Sequence, residues 1–271
     1  MHIVLILLAA FAAVSLLLLF LVFPSARRHP AREKLRGRYI AHRGLHDLAE
    51  NTPENSLAAF RAAAEQGHMI ENDIHLTADG EVVVFHDSLL KRMCGVDGRI
   101  EQMTLAGLKK CRLQGTDEQI PTLQECLDAV DGRVPLLIEF KCDRTTCKPL
   151  CEAANKILSA YKGEYFVQSF YPPVLLWYRQ HRKDVCRGQL AEPFKGKALY
   201  KRMLGCLLFN FVSRPDFVSY VHTGRNHPMC RLVTRLGALP VCWTLRSQEE
   251  LDASRTAFET YIFEGFIPKE K

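Results

Sequence analysis

The first apolar pattern in the chain is a long uninterrupted run near its start. Ile3 to Phe23 are 21 consecutive positions without a charged side chain. At about 1.5 Å per residue, a helix of this length spans about 31 Å, which is close to the hydrocarbon thickness of a bilayer. A cleaved signal peptide would have a basic start and a shorter apolar run of about 7 to 15 residues. The pattern therefore predicts a single transmembrane helix within an N-terminal anchor, residues 1–26.

After residue 38 the pattern changes to short apolar runs that alternate with helical spacing. The runs predict nine strands, at 39–41, 69–74, 82–85, 136–140, 165–170, 188–191, 217–220, 240–244 and 261–263. Apolar positions three and four apart predict helices at 56–66, capped by Asn55, and at 123–130, preceded by Thr122. Such alternation over about 230 residues is typical of a parallel α/β fold. Eight strands plus one hairpin arm favour a (β/α)8 TIM barrel over residues 39–271, with a doubly wound sheet as the alternative.

One apolar segment does not fit this alternation. Leu199 to Val212 contains only two cations among mostly apolar residues. It could be a buried helix or a lip that faces a membrane, and we favour the buried helix.

Charge is concentrated next to the predicted anchor. The chain of 271 residues carries a formal charge of +6, and residues 27–38 contain six cations and one anion, which leaves about +1 for the rest. A nucleic-acid-binding domain would spread its cations over a folded face, so we expect no nucleic acid partner. Because Lys and Arg flank the cytoplasmic end of a span, this basic juxtamembrane segment predicts a single-pass protein of the cell membrane with its folded body in the cytoplasm. The segment either sets this topology alone or also lies on anionic lipid headgroups.

The cysteines agree with a reducing compartment. There are ten, none of them in a CxxC pair, and several lie in apolar surroundings where a free thiol behaves as a small hydrophobic side chain. Cys142, Cys147 and Cys151 are close in sequence, but no histidine is nearby, so we expect structural thiols rather than a zinc site.

The candidate chemistry lies where the predicted strands end, which is where barrels carry their reactive groups. Glu71 and Asp73 alternate on one strand and so share one face. Two carboxylates on one face repel each other unless a cation lies between them, and oxygen ligands suit Mg²⁺ or Ca²⁺. The other strand-end groups are His42, Arg43, His86, Glu139 and Lys141. Together these groups predict an enzyme with one divalent cation as cofactor.

The same residues fall within an ordered series of motifs. The series is His42-Arg43-Gly44, Pro53-Glu54-Asn55-Ser56, Glu71-x-Asp73, Thr77-x-Asp79-Gly80, His86-Asp87, Leu90-x-Arg92 with Gly95-x-x-Gly98, Pro121-Thr122-Leu123, Glu139-x-Lys141, Gln168-Ser169-Phe170 and Trp243-Thr244. In this order the motifs resemble the glycerophosphodiester phosphodiesterase family over about residues 39 to 265. The resemblance implies a (β/α)8 barrel that hydrolyses glycerophosphodiesters to glycerol 3-phosphate and an alcohol with a divalent cation.

The resemblance also implies a role for each matching residue. By it, His42 and His86 are the acid and base pair, and Glu71, Asp73 and Glu139 are the metal ligands. Arg43 and Lys141 contact the phosphate, and Gln189 and Trp243 line the substrate pocket, although Trp243 could equally be a residue of the barrel core. Two positions remain open: His75 is either a further ligand or a loop-edge residue, and Glu264 either contacts substrate or is a solvated strand end.

The sequence thus predicts a membrane-anchored phosphodiesterase that acts on a small glycerophosphodiester and meets membrane lipid through its N-terminal helix and basic segment. Two alternatives stay open. One is a lysophospholipase D activity on lysolipids, and the other is a catalytically silent, membrane-tethered binding protein. The sequence leaves the choice between Mg²⁺ and Ca²⁺, and the oligomeric state, undetermined.

Overall fold

The strands form one closed barrel in the computed structural model, which describes residues 1–194 and 196–269. The strands are β1 (Tyr39–Ala41), β2 (Met69–Leu76), β3 (Val82–Val84), β4 (Leu136–Phe140), β5 (Tyr165–Ser169), β6 (Arg187–Ala191), β7 (Phe217–Val221), β8 (Leu239–Leu245) and β9 (Thr260–Phe263). All neighbours pair in parallel except β3, which forms an antiparallel arm on β2. Because β1 pairs with both β2 and β9, the eight strands other than β3 form a closed ring. The predicted (β/α)8 TIM barrel with one hairpin arm is confirmed.

Helices surround the barrel, with one long helix before it. They are α1 (His2–Val22), α2 (Leu57–Glu65), α3 (Lys91–Cys94), α4 (Leu105–Leu108), α5 (Leu123–Val130), α6 (Cys147–Leu158), α7 (Pro172–His181), α8 (Leu199–Gly205), α9 (Asn210–Ser213), α10 (Pro228–Arg235) and α11 (Gln248–Ser254).

Side-chain caps fix where two of the predicted helices begin. Thr122 caps α5 as predicted, and it forms a capping box with Glu125. The prediction that Asn55 caps α2 is wrong. The cap is Ser56, whose hydroxyl accepts a hydrogen bond from the Ala59 N–H. Asn55 has a left-handed backbone, with φ of 57°, whereas an N-cap residue usually has an extended one.

The segment predicted as one buried helix, Leu199–Val212, is two short helices. The first, α8, starts at the surface, where the Leu199 side chain is 70% exposed. The second, α9, turns inward, and its first residue, Asn210, is fully buried. Only part of the segment is therefore buried.

Helix α1 joins the barrel only through its last turn. It is long and apolar enough to cross a membrane, with a mean hydropathy of 3.1 over 18 residues. Its final residue, Val22, is buried, and the Val22 carbonyl accepts a 2.9 Å hydrogen bond from Asn210 Nδ2. Arg214, just before β7, donates to the carbonyls of Phe20 and Phe23. The helix is therefore attached where β7 begins.

The chain from Ser25 to Leu35 then crosses the end of the barrel at which the strands start. The Ser25 N–H donates to the Pro215 carbonyl, and Arg32 Nη1 donates to the Gly237 carbonyl at 2.6 Å. Leu35 is fully buried and closes this end of the barrel. It packs with Ile40, Met69, Leu137, Phe166, Cys186, Phe217, Leu239, Val241 and Ile262. The basic segment and the barrel form one packed unit.

Cations of the basic segment largely pair with protein groups. Lys34 Nζ lies 2.7 Å from a Glu164 carboxylate oxygen, and Arg36 pairs with both Glu33 and Glu259. These pairs lie near the surface and contribute little stability each. Packing of the segment therefore depends mainly on Leu35.

We predict that Leu35→Ala lowers the free energy of unfolding by about 2–5 kcal/mol, because it leaves a cavity in the packed end of the barrel. Urea unfolding of the full chain in detergent micelles measures the change. The matched control is Leu199→Ala at an exposed position, for which we expect a change of less than about 0.5 kcal/mol. Equal effects of the two substitutions would contradict the buried role of Leu35.

Candidate active site

Three buried carboxylates meet at the end of the barrel where the strands finish. Glu71 and Asp73 alternate on β2, and Glu139 lies on β4 directly beside Asp73 in the strand register. All three side chains are buried, and one oxygen from each lies within 4.8 Å of the others. We call these three residues the carboxylate triad. Glu71 and Asp73 lie on the same face of β2, as the alternation of side chains along a strand predicts. The parallel pairing of β2 with β4 places Glu139 beside them.

Two cations and one amide surround the triad. Lys141 Nζ lies 3.1 Å from Asp73 Oδ1 and 2.5 Å from Glu139 Oε1. Arg43 Nε lies 3.4 Å from Asp73 Oδ2, and the backbone N–H of Arg43 donates to Glu71 Oε2 at 3.2 Å. Asn55 Nδ2 donates to Asp73 Oδ2 at 2.9 Å. The phosphate contacts implied for Arg43 and Lys141 stay predictions, and the sequence did not indicate the bond from Asn55 to Asp73.

The pKa values of the triad show that its negative charge is only partly balanced. Burial, joined by repulsion from Asp73, raises the pKa of Glu71 well above its usual range. Burial also raises the pKa of Glu139, although Lys141 opposes the change. The pKa of Asp73 is lowered, because Lys141 and its other cationic neighbours outweigh burial. One more positive charge would stabilise the ionised form of all three carboxylates.

A divalent cation fits this site. The donors are carboxylate oxygens, which hard cations such as Mg²⁺ and Ca²⁺ prefer. Asp73 Oδ1 is buried and accepts no well-aligned hydrogen bond from the described residues, although Lys141 is close. Glu71, Asp73 and Glu139 are therefore the residues that would hold the ion.

His42 lies at one side of the triad and is oriented by Glu264. The His42 Nδ1 atom is 2.6 Å from Glu264 Oε2, and its Nε2 atom is 4.0 Å from Glu71 Oε2. The hydrogen bond lowers the pKa of Glu264 to about 2, so this carboxylate is ionised and accepts the Nδ1 proton. Burial lowers the pKa of His42 even though Glu264 opposes it. Neutral His42 therefore presents an unprotonated Nε2 towards the triad.

His86 has a similar arrangement. Its Nδ1 atom lies 2.6 Å from Asp87 Oδ1, and Asp87 is held by Arg92 Nε at 2.6 Å. Burial lowers the pKa of His86 to about 4. A second neutral imidazole with a carboxylate on Nδ1 therefore faces the same cavity.

Further pairs brace these groups. Glu54 Oε1 accepts hydrogen bonds from Arg43 Nη1 at 2.8 Å and from Arg92 Nη2 at 2.6 Å. His75 has its Nδ1 3.1 Å from Glu101 Oε1 and its Nε2 3.2 Å from the His86 carbonyl. His75 is thus a buried strand residue that supports the backbone of His86, and it does not join the triad.

A cavity of about 220 Å³ is lined by Glu71 and Glu139 of the triad and by the two histidines. Trp243 lines it, with the indole N–H donating to the Ser219 carbonyl at 3.1 Å and the ring packed edge-on against Phe170. Gln189 is buried beside the cavity. Its amide nitrogen donates to the carbonyls of Ser169 and Leu190 at 3.1 Å, so the substrate contact implied for Gln189 stays a prediction.

The partners of the histidines are the functional residues that sequence reasoning missed. Glu264 follows β9 and His42 follows β1, and these strands pair so that Ala41 is level with Phe263. The predicted closed barrel already contained this signal, because its first and last strands must be neighbours. Glu264 is held against His42 with 23% of its side chain exposed, so it is not a free strand end, and its contact with substrate stays a prediction.

Comparisons with known proteins agree with this geometry. The model of the glycerophosphoryl diester phosphodiesterase family matches residues 42–266. The chain is 31% identical to lysophospholipase D GDPD1 of Rattus norvegicus over 54% of this chain and 49% of that protein. It is 32% identical to human glycerophosphodiester phosphodiesterase 1 over 57% of this chain and 49% of that protein. It therefore spans about half the length of these curated relatives.

The fold also matches solved structures. A glycerophosphodiester phosphodiesterase from Thermotoga maritima superposes with a TM-score of 0.63 at 26% sequence identity, covering 83% of this chain and 93% of that one.

We predict that Glu139→Gln weakens binding of Mg²⁺ or Ca²⁺ by more than about tenfold. Removing a residue that only hydrogen-bonds to a metal ligand already lowers metal affinity by about tenfold, and Glu139 would itself be a ligand. Calorimetric titration of the full chain in micelles measures the affinity. Glu65→Gln removes an exposed carboxylate from the outside of the barrel and should leave the affinity unchanged. Unchanged binding by the Glu139→Gln variant would remove Glu139 from the ligand set.

Proposed function

The chain belongs to the glycerophosphoryl diester phosphodiesterase family, and on that premise we propose that it hydrolyses glycerophosphodiesters to glycerol 3-phosphate and an alcohol. The observation that carries this proposal is the carboxylate triad with two oriented, neutral histidines around one cavity. A phosphodiester is anionic and a poor electrophile, so its hydrolysis needs positive charge at the phosphate and a proton acceptor and donor on either side.

The proposed cofactor is one divalent cation, Mg²⁺ or Ca²⁺, held by Glu71, Asp73 and Glu139. When bound, such an ion supplies positive charge that polarises the phosphoryl oxygens and offsets the charge that grows in the transition state. Arg43 and Lys141 already lie against the triad, where both side chains are half-buried and their charge is only partly screened. They would bind and orient the phosphate from the protein side.

The two histidines would move the protons. Each has Nδ1 occupied by a carboxylate, which leaves Nε2 as the atom that exchanges a proton with substrate. One imidazole would take the proton of the nucleophile, and the other would protonate the departing alkoxide. The nucleophile would be either water or the glycerol 2-hydroxyl. Glu264 and Asp87 are positioning residues that hold the tautomers.

The anchor would keep the enzyme at a membrane. We propose that α1 crosses the cell membrane once and that the barrel lies in the cytoplasm. The reason is that the cations are concentrated directly after α1, and Lys and Arg flank the cytoplasmic end of a span. In the barrel, α1 attaches where β7 begins, whereas the triad lies where the strands end. The cavity and the membrane attachment are therefore at opposite ends of the barrel.

This separation favours a water-soluble glycerophosphodiester over a lipid that is still embedded in the bilayer. The rat relative carries the name lysophospholipase D, so lysolipid hydrolysis is the second candidate activity. A catalytically silent binding protein is disfavoured, because every predicted acid, base and ligand residue is present. His42, His86, Glu71 and Glu139 line one cavity, and Asp73 lies within 4.8 Å of the two glutamates.

We predict that His42→Ala and His86→Ala each lower turnover of glycerophosphocholine by at least about 10²-fold, which is the usual minimum contribution of general acid or base catalysis. Release of glycerol 3-phosphate by the full chain in micelles measures turnover, and circular dichroism checks the fold. His181→Ala, at an exposed position on α7, is the matched control and should stay active. A folded His42→Ala or His86→Ala variant with full activity would contradict the assigned roles.

The substrate class has its own test. The full chain in micelles should show a higher kcat/KM for glycerophosphocholine than for lysophosphatidylcholine, because the cavity opens away from the anchored end of the barrel. A higher kcat/KM for the lysolipid would favour the lysophospholipase D activity instead.

A further inference from the structure

A second and larger cavity lies at the junction of α1 and the barrel. Its volume is about 670 Å³, and it is on the side where α1 attaches, away from the carboxylate triad. One part of its wall is apolar, formed by Leu19, Phe20 and Phe23 at the end of α1 together with Leu236. The other part is cationic, formed by Arg27, Arg179, Lys183, Arg187 and Arg214. We call this cavity the junction groove.

The cations of the junction groove have little negative charge around them. No Asp or Glu lines the groove among the residues that the structure describes. Among the described residues, the carboxylate that pairs with these cations is the buried Asp216, which lies 3.2 Å from Arg27 Nη2 and 3.7 Å from Arg187 Nη1. One carboxylate therefore serves two of the five cations.

Two of the remaining cations are held by neutral groups. Arg179 Nη1 donates to the carbonyls of Phe211 and Val212, and Arg214 Nη1 donates to those of Phe20 and Phe23. Carbonyl groups orient a guanidinium but do not cancel its charge. The groove therefore presents fixed, oriented positive charge.

Arg187 shows that this charge is crowded. It is 97% buried, and its Nη1 finds no hydrogen-bond acceptor in the described part of the chain. Burial, joined by repulsion from Arg27 and Arg179, lowers the pKa of Arg187 to about 10 in spite of Asp216. Burial and Arg179 also lower the pKa of Arg214. An anion in the groove would relieve both effects.

The position of the groove indicates which anion. Helix α1 ends at Val22, and the groove starts at its last turn, so a membrane that α1 spans would place the groove at the level of the lipid headgroups. Leu19, Phe20 and Phe23 then face the upper part of the acyl chains, and the cations face the phosphates. Apolar and cationic walls at this depth match the two parts of one lipid molecule.

We propose that the junction groove binds an anionic phospholipid of the surrounding membrane, with its phosphate among Arg179, Lys183 and Arg214 and its acyl chain along the end of α1. The site rests on the proposed membrane anchor but is separate from the catalytic cavity. It would fix the barrel on the membrane surface with the catalytic mouth at the opposite end.

Native mass spectrometry of the full chain released from dodecyl maltoside micelles tests the site. With phosphatidylglycerol and phosphatidylcholine at equal concentration, we expect preferential retention of phosphatidylglycerol. Lys183→Gln should lower this preference about fivefold, and Arg179→Gln with Lys183→Gln by about fivefold more, since each cation near a lipid surface contributes about this factor. Lys183 is exposed, so its removal leaves the packing intact.

The control is Lys156→Gln, which removes an exposed cation from α6 outside the groove and should keep the full preference. Millimolar inorganic phosphate should leave phosphatidylglycerol bound, because phosphate lacks the acyl chain. No preference in the unmodified protein, an unchanged preference in the double variant, or complete displacement by phosphate would each overturn the proposal. The readout needs no turnover, so it stands or fails independently of the phosphodiesterase activity.

Discussion

The central constraint on this structure is the burial of three carboxylates within 4.8 Å of one another. Ionised carboxylates in such a place repel each other and lose their hydration, so an uncompensated triad would be strongly destabilising. Lys141, Arg43 and Asn55 offset part of this cost, and a divalent cation would offset the rest. The same excess of negative charge that makes the triad unfavourable alone suits it to hold a divalent cation.

Closure of the barrel positions His42 beside the triad. The triad comes from β2 and β4, but His42 is held by a carboxylate that follows β9, more than two hundred residues later in the chain. The orientation of His42 therefore depends on a complete barrel, whereas His86 is held by its sequence neighbour Asp87. At the other end, Leu35 closes the bottom of the barrel, and α1 attaches at this end through Asn210 and Arg214. The carboxylate triad and the attachment of α1 therefore lie at opposite ends of the barrel.

Much of this could be predicted from the sequence, because the deciding signals are local. Strand positions follow from short apolar runs, and the shared face of Glu71 and Asp73 follows from the strand repeat. Contacts between distant residues could not be predicted in the same way. The pairing of His42 with Glu264 depends on barrel closure, and the bond from Asn55 to Asp73 joins residues that are 18 positions apart in the chain. The surface position of Leu199 depends on where the chain turns between α8 and α9.

The most direct test of the central claim is the metal dependence of glycerol 3-phosphate release from glycerophosphocholine. The full chain is assayed in detergent micelles with Mg²⁺, with Ca²⁺ and with EDTA, at the same protein concentration. We predict release with at least one of the two ions and none with EDTA, restored when that ion is added back in excess. Equal release in EDTA would contradict the role of the triad as a metal site, and no release from folded protein under any condition would contradict the phosphodiesterase activity itself.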